Sequence, residues 1–216
     1  LETVLQTARQ GLHLWVGPRL RDAAELARSS IVVDASKALL QAHRNNTTLL
    51  RTAALRDLRR YLNPIIAKQG DKGFFVIAPD RTSIASARDS NIGTQNIIQQ
   101  WRPYYLDQVF AGHTVFVPTL ESDVKLSPPG SAASHRPISI FVAAPIMEND
   151  KVIAAFTLRL NPESKFTSQI RLGRIGRSGE TYAFDRHGLL ISESRFDQQL
   201  QDTGLIRAGS EGILSI

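Results

Sequence analysis

The sequence predicts an α+β protein in which long helices precede an antiparallel sheet and a second, smaller sheet follows. Three observations carry that prediction. Apolar residues recur every three or four positions as far as Ile65, strand-forming residues take over from Gly73, and one hairpin plan occurs twice. Residues 73–86 and 179–192 both run glycine, aromatic-rich strand, Asp-Arg turn, aliphatic strand, serine. A plan repeated about a hundred residues apart, one small domain's length, marks a repeated module.

Residues 1–16 read as helical, and Gly17-Pro18 reads as an interruption or restart, because proline suits the first turn of a helix. A long helix is expected from Pro18 to about His43. Leu20, Ala24, Ala27, Ile31, Ala35, Ala38, Leu39 and Ala42 form its apolar stripe. At 1.5 Å per residue it would span roughly 39 Å, longer than a small domain needs. Asn45, Asn46, Thr47 and Thr48 supply a turn and a cap. A second amphipathic helix then carries Leu50, Ala54, Leu58, Tyr61, Leu62 and Ile65, with Asn63-Pro64 kinking or tightening its end.

The first hairpin turns at Asp80-Arg81, since Asp and Ser favour reversals between runs of high strand propensity. After Asn91-Ile92-Gly93, one helix is expected from Gln95 to Phe110, stopped by Ala111-Gly112. Residues 113–120, 138–145 and 152–160 read as strands, with a Pro- and Ser-containing loop over 121–136 and a polar turn over 148–151. Five antiparallel strands with one crossing helix suffice for a curved sheet with helices on one face. Asn161 to Ser164 caps a short helix over 165–172, which leads to the second hairpin at Asp185.

Composition narrows the class further. The 216 residues, 42% hydrophobic and 21% charged, describe an ordinary globular chain able to bury one or two cores. Without cysteine, disulfides and thiolate metal sites are excluded. The net charge of +6 invites a nucleic-acid reading, yet the arginines from Arg9 to Arg60 are spread along helices and alternate with Asp22, Glu25, Asp34 and Asp57. Mixed signs favour a solvated face over a polyanion-binding one. No apolar run is long enough to span a membrane and residues 1–10 lack signal-peptide order, so any flanking spans are expected outside this sequence. His13, His43, His113, His135 and His187 have no metal-ligand spacing, and no cofactor is expected. Gly173 to Gly179 mixes glycines with cations but lacks the strand and helix of a phosphate loop.

The paired helices, Ile84-Ala85-Ser86, Asn91-Ile92-Gly93, Phe110-Ala111-Gly112, Ala144-Pro145-Ile146, Lys151-Val152-Ile153 and Gly179-Glu180-Thr181-Tyr182 occur here in a characteristic order. In that order, over about residues 15–207, the chain resembles a double Cache domain, an extracytoplasmic sensor with two PAS-like sheets hung on a long N-terminal helix. The resemblance implies a helical stalk over 1–70, a membrane-distal sensor module over 71–161 and a linker helix with an incomplete membrane-proximal module over 162–216. It also implies the periplasmic part of a receptor such as a histidine kinase, cyclase, phosphatase or chemoreceptor, with transmembrane helices flanking it in the full-length protein.

Arg102-Pro103-Tyr104-Tyr105 matches the family's Arg-x-aromatic-Tyr motif, which holds a ligand carboxylate, with Asp107 as orienter and Ser86 near the sheet face. Taken by themselves these residues also read as a helix cap and core aromatics. Where amino-acid-sensing members carry a tyrosine and an aspartate, this chain has Ile97 and Arg159. An arginine there repels an ammonium group and favours a small organic anion over an amino acid. Strand alternation gives a second reading, with Thr157 and Arg159 outward and Phe156, Leu158 and Leu160 inward. Three functions stay open in the order ligand sensor, interaction or dimer-spacer module, and enzyme; the stripe Ile31, Ala35, Ala38, Ala42 is the expected homodimer contact.

Overall fold

The computed structural model describes residues 2–45, 48–123, 138–161, 179–185, 187–192, 194–206 and 213–214. The expected helix over 165–172, most of the loop over 121–136, residues 173–178, His135 and most of the tail after 206 lie outside the described residues. Backbone contacts divide the chain into two compact units, one of residues 1–17, 118–139 and 162–216, the other of residues 18–117 and 140–161.

Helix α1 runs Glu2–Arg28 with Pro18 inside it, so the expected break at Gly17-Pro18 does not occur. Proline forfeits one backbone hydrogen bond but does not force an end. The break comes instead at Ser29, whose hydroxyl accepts from Val32 N and donates to Leu26 O, starting helix α2, Ser30–Arg44. On α2 the core-facing residues are Val32, Ala35, Ser36, Leu39 and Leu40, whereas Ile31 and Ala38 of the expected stripe are exposed. A one-residue phase error rotates a helical stripe by about 100°, which accounts for the difference.

A short 3-10 turn, Leu49–Arg51, leads to helix α3, Ala53–Gln69, whose N-cap Thr52 accepts from Leu55 N. Pro64 lies inside α3, and the helix ends at Gly70, where φ of 72° allows Asp71 N to reach back to Ile66 O. That cap fixes the position of Asp71. Its carboxylate receives a 2.9 Å hydrogen bond from Arg19 of α1, which also donates to Gln69 O.

Strands β1, Gly73–Ile77, and β2, Ser83–Ser86, form the first hairpin. Strands β3, Val115–Glu121, β4, Ile138–Glu148, and β5, Lys151–Leu160, complete one sheet in the order β2-β1-β5-β4-β3. The β1–β2, β1–β5 and β4–β5 pairings are antiparallel. Asn149 and Asp150 adopt φ of 46° and 60° in the β4–β5 turn, the left-handed pair a two-residue hairpin requires. Every residue of β1 and the last seven of β5 are buried, so both faces are covered at the centre of the sheet. Helix α2 contacts β2.

The helix expected over 95–110 is two helices, α4, Ile97–Trp101, and α5, Pro103–Phe110, of which α5 packs against β5. Pro103 is the cause. A residue before proline is pushed out of helical geometry, and Arg102 sits at φ −142°, ψ 50°. In the other unit the second hairpin turns at Asp185 as expected, through a Phe184–Leu190 bridge, and helix α6, Asp197–Asp202, follows. The two turns work alike, Asp80 accepting from Thr82 N and Asp185 from His187 N.

Asp71 gives this unit a pH dependence. Its side chain is 1% exposed, and burial pushes its carboxyl up to about 6, aided by Asp22 and opposed by the Arg19 guanidinium. An acid whose pKa is raised by folding contributes stability that is complete below its unfolded pKa, near 4, and lost as pH rises through about 6. At 1.4 kcal/mol per unit, wild type should lose about 1–3 kcal/mol from this group between pH 4 and pH 7. Urea titrations across that range should show the loss shrinking in Asp71→Asn; equal pH slopes in both proteins would contradict the assignment.

Candidate functional site

The middle of the sheet carries an unusual row of side chains. Direct pairing sets Ser86 opposite Phe75, Phe75 opposite Thr157 and Thr157 opposite Ala143, and the next row on the same face joins Gly73, Arg159 and Phe141. Residues opposite one another project to one side. Ser86, Thr157 and Arg159 are therefore three polar groups on a single buried face, with exposures of 2%, 0% and 5%.

Arg159 settles one of the two readings left open by its sequence. It is buried, not directed outward to solvent, and its guanidinium lies 5.4 Å from the Phe75 ring and 5.3 Å from the Phe141 ring. The alternation argument assumed one wet face; because both faces are covered, alternation does not separate core from solvent on β5. Gly73 is opposite Arg159 and holds φ of 146°, a backbone setting that favours glycine, and it leaves that position of the row without a side chain. Ser86 is fixed by its surroundings: its hydroxyl accepts from Arg88 N at 3.1 Å, and its carbonyl accepts from Arg59 Nε of α3 at 2.8 Å.

The remaining candidates gather at the α4–α5 junction. Asn96 accepts from Ile98 N to start α4 and donates to Ser83 Oγ on β2, so the sheet edge locates this helix. Residues 93–96 run along that edge, with Gly93 N bonded to Ser83 O and Ser83 N to Thr94 O. Arg102 lies at the corner and is half-buried, Tyr105 is half-buried, and Tyr104 is 45% exposed. The two tyrosine rings meet edge to face at 5.5 Å.

Asp107 has a different neighbour from the one its spacing suggests. It accepts from Arg81 at 2.7 Å, and the Arg81 guanidinium also lies 4.1 Å over the Phe110 ring. Arg81 holds φ of 71°, uncommon for a residue with a side chain, so the hairpin turn aims it at α5. The adjacent Asp80 meets His43 of α2 at 2.7 Å. Burial works to raise the Asp80 pKa, but hydrogen bonds from His43 and Thr82 hold it below the usual value. The Asp-Arg turn thus reaches one helix with each of its two charges.

Sequence reasoning named Ser86 and Arg159, which the structure places on one buried face, but it read Thr157 as outward and gave Arg81 no role beyond the turn. The repeated Asp-Arg pair was the available signal for Arg81, read as turn chemistry alone.

No protein-family model and no curated protein sequence matches this chain. Solved structures do. The sensor domain of the Vibrio cholerae histidine kinase DctB matches with a TM-score of 0.55 and 20% identity, over 78% of this chain and 57% of that one. An extracellular ligand-binding receptor from Desulfohalobium retbaense matches with a TM-score of 0.54 and 14% identity, over 94% of this chain and 33% of that one. The Campylobacter jejuni chemoreceptor Tlp3 ligand-binding domain, in complex with L-norvaline, matches with a TM-score of 0.48 and 10% identity, over 96% and 71%. This chain therefore spans about half or less of the first two. Its fold, helices followed by a five-stranded sheet in the order 2-1-5-4-3, is shared with the DctB sensor domain and the Desulfohalobium receptor.

The Arg81 bridge is testable by a double-mutant cycle. Arg81→Ala and Asp107→Ala should couple by about 0.5–1 kcal/mol, the range for a partly exposed ion pair. Arg81→Ala should cost more than Asp107→Ala because it also strips the contact with Phe110. Additive losses would show that the ion pair contributes nothing.

Proposed function

We propose that this chain is the extracytoplasmic ligand-sensing part of a bacterial membrane receptor. Its fold supports this reading, and one observation carries it: Ser86, Thr157 and Arg159 form a polar set on a buried face of the sheet. Burying polar side chains costs stability unless a partner meets them, and a site for a polar ligand gives such a set a use. The reading places residues 71–161 as the sensing module, residues 1–70 as the stalk and residues 162–216 as the start of a membrane-proximal module. It assigns a binding role without catalysis.

The ligand in this proposal is a small organic anion. Arg159 stands on β5 where amino-acid sensors of the resembling family carry an aspartate, and Arg102 lies at the α4–α5 corner with Tyr104 and Tyr105 beside it. Guanidinium groups offer paired donors to a carboxylate and repel an ammonium group. Binding would favour one arrangement of sheet and α5 over another and so bias the helices that lead to the output domain. Exposure of Ile31 and Ala38 leaves part of α2 available for a homodimer contact.

Thermal-shift measurements against organic acids, amines and purines provide the test, since a ligand selective for the native state raises its melting temperature. Acids should be the active class. For an acid so found, Arg102→Lys should weaken binding by roughly ten- to a hundred-and-fifty-fold despite keeping the charge, and Tyr105→Phe by less. Unchanged calorimetric affinity in a folded Arg102→Ala protein would remove Arg102 from the site. Topology reporters fused to the full-length protein should report the far side of the membrane; a cytoplasmic signal would end the receptor reading.

A further inference from the structure

Thr157 poses a problem that the fold does not solve. Its side chain is wholly buried, and its hydroxyl has no hydrogen-bond partner among the described residues. The reason is visible in the register. Its cross-strand neighbours are Phe75 and Ala143, neither with a polar side-chain atom, and Arg159, two residues along the strand, could donate to the hydroxyl oxygen but makes no hydrogen bond to it. A hydroxyl left unpaired in the core costs free energy, and valine would fill the same space without that cost.

Residues two apart on a strand project side by side at about 7 Å. A group that meets both Thr157 and Arg159 must accept from the guanidinium, which only donates, and the hydroxyl can donate to the same acceptor. We propose that the Thr157 hydroxyl is a ligand-contacting specificity group, donating to a carboxylate oxygen of an anion whose charge is met by Arg159. This rests on the sensor reading above and deepens it. It makes β5, as well as the α4–α5 corner, a reader of the ligand's acidic end.

The test uses the 216-residue chain with Thr157→Val and Thr157→Ser. Melting temperatures are measured without additive and with sodium acetate, pyruvate, lactate or malonate at constant ionic strength, with methylammonium as the cationic control. Without additive, Thr157→Val should melt at or above the wild-type temperature, since the apolar side chain replaces an unpaired hydroxyl. With whichever carboxylate stabilises wild type, Thr157→Val should bind about ten- to a hundredfold more weakly and Thr157→Ser within a few-fold of wild type. Methylammonium should stabilise none of the three. A Thr157→Val protein that melts several degrees lower and binds the carboxylate as tightly as wild type would make the hydroxyl a structural group and overturn the inference alone. If no carboxylate stabilises wild type, the anionic-ligand reading falls with it.

Discussion

The structure turns on the burial of β1 and β5 from both sides. A central strand with two covered faces has no solvent-facing positions for polar residues, so every one it carries must be met by the protein or by something bound to it. Most of β1 and β5 obeys by being apolar, with Phe74, Val76, Phe156, Leu158 and Leu160 closing one face of the core. The opposite face carries polar side chains at Thr157 and Arg159 of β5 and at Ser86 of β2, and of these only the Thr157 hydroxyl lacks a partner among the described residues. Apolar filling was available at these three positions and was not used, which is the observation the proposed site rests on.

The same burial explains the connecting devices. A sheet whose central strands are buried on both faces needs elements packed over it, and the hairpin at its edge reaches two helices. Asp80 and Arg81 do so, Asp80 meeting His43 at the end of α2 and Arg81 meeting Asp107 and Phe110 on α5. The turn holds Arg81 at positive φ, a conformation that costs about 1–3 kcal/mol where a side chain is present. Its ion pair and ring contact offset that cost. This contiguous set of contacts is a physical link between the α4–α5 corner and the end of α2.

Much of the fold was legible because periodicity and turn chemistry are local. The shift from helical to strand patterning at Gly73, both Asp turns and the β4–β5 reversal followed from residue types alone. The misses have specific causes. Gly17-Pro18 looked like a break because proline ends helices, but Ser29 supplied the better local alternative by capping a new start. The unbroken helix over 95–110 ignored the effect of Pro103 on Arg102, although that effect was in the sequence. The face assigned to Arg159 could not be read locally at all, since alternation tells which residues share a side and not whether that side is wet.

That distinction bears on how the site is to be understood. Ser86 and Arg159 were found through resemblance, whereas Thr157 emerged only from the pairing Phe75–Thr157–Ala143 and the missing acceptor around it. A motif identifies residues that a family uses in common, while an unsatisfied group in a covered sheet identifies what this chain does differently. The buried Asp71 carboxylate is a second polar departure in the same unit, and there one oxygen, Oδ1, accepts from Arg19 while Oδ2 has no partner among the described residues. The Thr157 hydroxyl has no polar side chain directly opposite it and no hydrogen-bond partner among the described residues. Asp71 has a cation at its other oxygen, whereas the Thr157 hydroxyl is wholly unpartnered among the described residues, and under the proposal made above its neighbour Arg159 sets the charge of the group that would meet it.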